Sequence, residues 1–124
     1  HVLRVIGSER FPPEEAALAA LCRRVAERGL DQQGASRQFF AILASGDRRE
    51  SLKRINAPTL VIHGVDDPLL PAMASRDVAR NIPGAALWEV DGMGHDLPKP
   101  LIPALVDRIT AHCRAAAWDQ SPSP

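Results

Sequence analysis

The 124 residues suffice for one small domain or for part of a larger one. Hydrophobic residues make up 45%, enough for a core, which excludes a chain disordered over most of its length. The 15 Lys+Arg balance the 15 Asp+Glu, so charge gives no case for binding nucleic acid or an anionic membrane.

The two cysteines, Cys22 and Cys113, fall in separate helix candidates. Neither belongs to a C-x-x-C pair or a histidine-rich spacing, so buried free thiols and no metal site are expected. No signal peptide and no bilayer-length apolar run is visible, which makes the cytoplasm the expected compartment. The chain opens on His1 rather than Met, as an excerpted sequence would.

In chain order, residues 1–6 (HVLRVI) read as a short extended piece or a frayed helix end, and residues 7–11 as a loop. Pro12-Pro13-Glu14-Glu15 opens a helix, because proline is tolerated in the first turn and acids suit the positive end of the dipole. Leu18, Leu21, Cys22 and Val25 form its apolar stripe, and Gly29 is placed to end it. After a polar connection, a second helix starts at Gly34 or Ser36 and carries Phe39, Phe40, Ile42 and Leu43. A short third helix over residues 48–55 would turn Leu52 and Ile55 inward.

Residues 57–71 (APTLVIHGVDDPLLP) read as a buried strand that runs into a loop ending in a carboxylate. Leu60, Val61 and Ile62 show no polar alternation, as expected of a parallel strand covered on both faces. Residues 72–81 supply a crossover helix. A second strand, 86–90 (ALWEV), runs into Asp91-Gly-Met-Gly-His95. A strand–helix–strand unit of this kind is right-handed, which sets both strand ends, and hence Asp67 and His95, at one edge of the sheet. A last helix beginning near residues 97–98 tolerates Pro100 and Pro103 only in its first turns. Leu101, Ile102, Leu105, Val106, Ile109 and Cys113 line one side of it. Residues 119–124 (DQSPSP) have the composition of a disordered tail.

PTLVIHGVDDPLLP followed by IPGAALWEVDGMGHDLP resembles the C-terminal part of an α/β-hydrolase. The resemblance implies an α/β fold class. Residues 1–56 would be cap helices, and residues 57–118 the last two parallel strands with their crossover and C-terminal helices. It also implies roles: Asp67, three residues after Gly64, matches the acid of a Ser-His-Asp triad, and His95 matches its histidine. The run 35–48 (ASRQFFAILASGDR) looks like the cap of esterases of the aclacinomycin-methylesterase type, which act on polyketide-type compounds. No cofactor is implied, and the partner would be a small-molecule ester.

Such a triad needs a histidine to take the serine proton and a buried acid to fix the imidazole tautomer. Asp66 competes with Asp67 for that role, although the register after Gly64 favours Asp67. The plain alternatives are an Asx-type turn at Asp67-Pro68 and an ordinary loop histidine at 95. His63 reads as a structural residue bonded to a neighbouring loop, His112 as a surface residue near a helix C-terminus, and Asp91 and Asp96 as turn formers. Phe39, Phe40, Leu69, Met73 and Met93 are candidate pocket walls.

The nucleophile elbow, G-x-S-x-G after an apolar strand, does not occur. Ser36, in Gly34-Ala-Ser36, lacks the second glycine and the strand; Ser8 has no better context. The chain by itself is therefore expected not to hydrolyse esters. Two other readings stay open. One is a non-catalytic remnant or interaction module that binds through a bare sheet edge. The other is part of a haloperoxidase, dehalogenase or C–C hydrolase, whose acid and histidine would be the same. Two strands alone leave edges unpaired, so the apolar faces of residues 59–62 and 87–90 are expected to be under-covered, with a sizeable exposed apolar patch.

Overall fold

The computed structural model describes residues 2–29, 31 and 33–116. His1, Leu30, Gln32 and the expected tail at 119–124 lie outside the described residues. The order is α1 (Val2–Ile6), α2 (Glu15–Glu27), α3 (Gly34–Ser45), α4 (Arg49–Leu52), β1 (Leu60–Gly64), α5 (Ala72–Asn81), β2 (Ala86–Val90), a 3₁₀ turn (Lys99–Leu101) and α6 (Ile102–Ala115).

β1 and β2 form a two-stranded parallel sheet, paired from Leu60↔Ala86 to Gly64↔Val90. Parallel pairing across a helical crossover puts the C-terminal ends of both strands side by side. Burial rises along each strand: His63, Gly64 and Val90 are buried, whereas Ala86 is exposed. The well-packed end of the sheet is thus the end that feeds residues 65–67 and 91–95.

The two faces of the sheet differ. Val90, Met93 and Leu105 form the core on the α6 side, with Ile62, Trp88 and Leu101 packed against it. On the α5 side, Arg76 pairs with Glu89 at 2.8 Å, and Ser75 Oγ lies 2.7 Å from His63 Nδ1. His63 therefore bonds a helix rather than a loop. Its Nε2 is buried without a partner among the described residues.

Most of the expected elements form where their chemistry places them. Gly29 follows α2 with φ 93°, the left-handed C′ position that glycine tolerates. The last helix starts at Ile102, later than the expected start near residues 97–98: Pro98 is extended and Pro100 sits in the 3₁₀ turn. Residues 1–6 resolve in favour of a helix from Val2.

The expectation of buried cysteines is overturned: Cys22 and Cys113 are free and exposed. Each belongs to a stripe that is buried only near one residue, Leu18 on α2 and Leu105 on α6. The later turns of both helices run past the small core. Exposed apolar surface is extensive, but it lies on the helices and loops rather than on the expected strand faces. Residues 60–62 and 87–89 are half-buried and Val90 is buried, because α5 and α6 pack over the sheet. No residue of α3 is buried, and Phe39 and Phe40 meet edge to face, ring centroids 6.1 Å apart, at the surface. Among the described residues, no helix is long and apolar enough to cross a membrane, and no cluster of three metal-ligating side chains forms.

Leu105, 5% exposed, fills the space between the sheet and α6, while Val106 beside it is 54% exposed. Leu105→Ala is expected to cost about 2–5 kcal/mol, and Val106→Ala to stay within about 0.5 kcal/mol of the parent. Urea unfolding midpoints of the two variants check the asymmetry.

Candidate active site

The turn after β1 is fixed by backbone bonds in both directions. Val65 N–H donates to Val90 O (3.0 Å), Asp66 N–H to Met93 O (3.0 Å) and Asp67 N–H to Gly64 O (3.2 Å). The first two tie it to the end of β2 and to the histidine loop. Gly64 lies under that loop, where a Cβ would overlap the carbonyl oxygens of Met93 and Gly94. No larger residue fits there without moving the loop.

Within this frame Asp67 uses both carboxylate oxygens. Oδ1 accepts the N–H groups of Leu69 (2.8 Å) and Leu70 (2.9 Å), the Asx-type turn that aspartate favours. Oδ2 lies 2.7 Å from His95 Nδ1. The turn and the histidine pairing, alternatives at the level of sequence, thus coexist in one side chain. The Asp67 side chain is 6% exposed and that of His95 38%. Burial pushes the Asp67 carboxyl up, but the Leu70 N–H, the His95 imidazole and the Leu69 N–H outweigh it and hold the group below its ordinary value.

A carboxylate at Nδ1 favours the tautomer that carries its proton on Nδ1 and leaves the lone pair on Nε2. That arrangement suits a proton carrier that works through Nε2. Asp66 is exposed, takes no part in the pairing, and has the surroundings of a solvated loop acid. Asp91 pairs with Arg10 at 2.5 Å. His112 Nε2 lies 3.3 Å from Pro58 O, far along α6.

Sequence reasoning missed the segment that covers the histidine loop from the other side. His95 N–H donates to Ile6 O at 2.7 Å, and Gly94 N–H donates to Ser8 Oγ at 2.8 Å. Ser8 in turn donates both its hydroxyl (2.5 Å) and its N–H (2.9 Å) to Asp96 Oδ1. Gly94 packs so closely on Gly7 that a Cβ would overlap the Gly7 carbonyl. No local pattern signals contacts across 86 to 89 positions. Ser36 is exposed in the first turn of α3.

The pocket walls differ from expectation as well. Met93 is core, 5% exposed. Met73 lines a separate groove between α4 and α5. A groove of about 410 Å³ beside residues 96–100 is walled by Phe11, Leu18, Leu21 and Leu97.

No protein-family model matches the chain. It is similar to curated esterases. Over 69 residues it is 41% identical to the rhodomycin D methylesterase of Streptomyces peucetius, covering 56% of this chain and 23% of that protein. To the rhodomycin D methylesterase of Streptomyces sp. (strain C5) it is 42% identical over 69 residues, with the same coverage. To the pimeloyl-[acyl-carrier protein] methyl ester esterase of Nitrosomonas europaea it is 33% identical over 94 residues, 75% of this chain and 36% of that protein. The chain thus spans between about a quarter and a third of the length of these relatives, all of them named as methyl-ester esterases.

Asp67→Ala leaves the Leu69 and Leu70 N–H groups without their acceptor and is expected to cost about 1–3 kcal/mol near pH 7. The Asp67 carboxyl binds its proton less tightly folded than unfolded, so its stabilisation is complete above its unfolded value of about 3.9. It is lost as pH falls through the lower folded value. Urea titrations of parent and variant should therefore show a stability gap at pH 6 that narrows below about pH 4; a gap constant through that window contradicts the assignment.

Proposed function

We propose that this chain is the C-terminal part of a serine α/β-hydrolase that cleaves carboxylic esters of small apolar molecules. The observation that carries the reading is the 2.7 Å pairing of Asp67 Oδ2 with His95 Nδ1 at the shared end of two parallel strands. The esterase relatives favour ester hydrolysis over dehalogenation, haloperoxidation or C–C cleavage, which would use the same pair.

In this reading His95 Nε2 takes the proton of a serine hydroxyl as the oxygen attacks the ester carbonyl. Asp67 holds the ring in the required tautomer and stabilises the imidazolium that forms. His95 then returns the proton to the departing alcohol, leaving an acyl-serine. Water, deprotonated by the same nitrogen, releases the carboxylic acid and regenerates the serine. The serine and the amides that stabilise the oxyanion lie outside these 124 residues. Ser8 is engaged between Gly94 and Asp96, and Ser36 has no elbow around it. Cytoplasmic location belongs to the same reading.

The second reading is an interaction module without catalysis. It is favoured by the exposed apolar residues of α3 and by the single strand neighbour that each of β1 and β2 has among the described residues.

The reading frame upstream of His1 is expected to encode an apolar strand running into Gly-x-Ser-x-Gly. In the protein that includes it, His95→Ala and Asp67→Asn should each lower kcat for methyl-ester hydrolysis by about 10⁴-fold or more, with KM changed only a few-fold. A frame without such an elbow, or turnover indifferent to both substitutions, refutes the proposal.

A further inference from the structure

We propose that Ser8 and Asp96 form a clamp that positions His95 for proton transfer. The inference rests on His95 being the proton carrier and goes beyond it, because it assigns a role to two residues outside the triad.

The histidine loop is built to bend. Gly92 has φ 74°, and Gly94 lies against Gly7 with no side chain between. Such a loop has little intrinsic stiffness, while proton transfer needs the imidazole in place to within a fraction of an ångström. The Asp67 bond alone fixes one ring nitrogen and leaves a side chain that is 38% exposed. The remaining constraint has to come from the backbone on either side of His95.

Residues 6–8 supply it. Ile6 O takes the His95 N–H. The Ser8 hydroxyl accepts the Gly94 N–H at 2.8 Å, so its proton is free to go to Asp96 Oδ1 at 2.5 Å. The Ser8 N–H reaches the same oxygen at 2.9 Å. One buried serine, 3% exposed, therefore grips the residue before the histidine and the residue after it. Bonds to a carboxylate are stronger than neutral ones, which stiffens the outer half of this grip. The inner side of the loop is held separately, by Asp66 N–H to Met93 O and by Gly64 beneath it. Release of the clamp should thus free residues 94–96 while the sheet and the turn at 64–67 persist. Ser8 and Asp96 are positioning residues and touch no reacting atom.

Nuclear magnetic resonance of the 124-residue chain tests this without turnover. In the parent, the His95 Nδ1 proton should resonate at low field, and the Gly94 amide should exchange slowly. In Ser8→Ala and in Asp96→Ala, Gly94 exchange should accelerate about tenfold or more. The His95 Nδ1 proton should be lost to solvent exchange, with the amides of Ile62 and Trp88 still protected. Asp96→Asn keeps an oxygen for Ser8 and should fall between parent and Asp96→Ala. Asp67→Asn separates the two ideas, since it should remove the low-field proton while Gly94 exchanges at the parental rate. A His95 proton and a Gly94 rate unchanged in both alanine variants overturn the clamp and leave the Asp67 pairing standing. If Ser8→Ala loses its sheet resonances, Asp96→Asn decides: parental behaviour overturns the clamp, partial release supports it. A parent with no low-field His95 proton overturns the Asp67 pairing and the clamp with it.

Discussion

Asp67 divides its carboxylate between two tasks: one oxygen closes the turn that leads into α5, and the other meets His95. Each task makes the other more secure. The Leu69 and Leu70 N–H groups keep the carboxylate in one orientation and favour its charged form, and a fixed charge holds the imidazole in one tautomer. The carboxylate reaches this position because β1 and β2 run parallel in a register that ends at Gly64↔Val90. Asp67 follows the end of one strand by three residues and His95 follows the other by five. A slip of one residue in either strand would turn its side chains to the opposite face.

Close approach makes the second constraint. The histidine loop is sandwiched between the 64–66 turn and the 6–8 segment, and it touches glycine backbone on both sides, at Gly64 below and at Gly7 above. Two N–H groups covered by this packing find partners: those of Gly94 and His95 bond to Ser8 Oγ and Ile6 O. Buried N–H groups without acceptors would cost about 1–3 kcal/mol each. The N-terminal residues are therefore part of the site rather than a lead-in to α2. The Arg10–Asp91 and Arg4–Glu15 pairs are exposed ties on the same segment, each worth little alone.

Much of this was legible in the sequence where the signal is local. The apolar runs at 60–62 and 86–90, the break at Gly64 and the acids at 66–67 locate the strands and the end of the sheet that matters. The start of α2 just past Pro12-Pro13, at Glu15 with Glu14 as N-cap, and its stop at Gly29 are equally local. Signals failed where the outcome depends on distant partners. Ser8 carries no mark of its pairing with Asp96, because nothing near either residue encodes a contact 88 positions away. Cys22 and Cys113 sit on apolar stripes, yet a stripe buries a thiol only where another surface meets it. Met93 reads as a loop residue open to a pocket, but the turn after Val90 folds it under the sheet. Pro100 delays the last helix because a 3₁₀ turn accommodates the ring before α-helical bonding begins.

The molecule thus combines a tightly determined rim with loosely covered flanks, α3 and the outer face of α6. The pairing at that rim is the claim on which the functional reading stands. A double-mutant cycle on the unfolding free energy, with Asp67→Ala, His95→Ala and the double variant at pH 6, measures it most directly. Contact predicts a coupling on the order of 1 kcal/mol between the two sites. Additivity of the two substitutions to within about 0.3 kcal/mol would mean that the side chains do not interact.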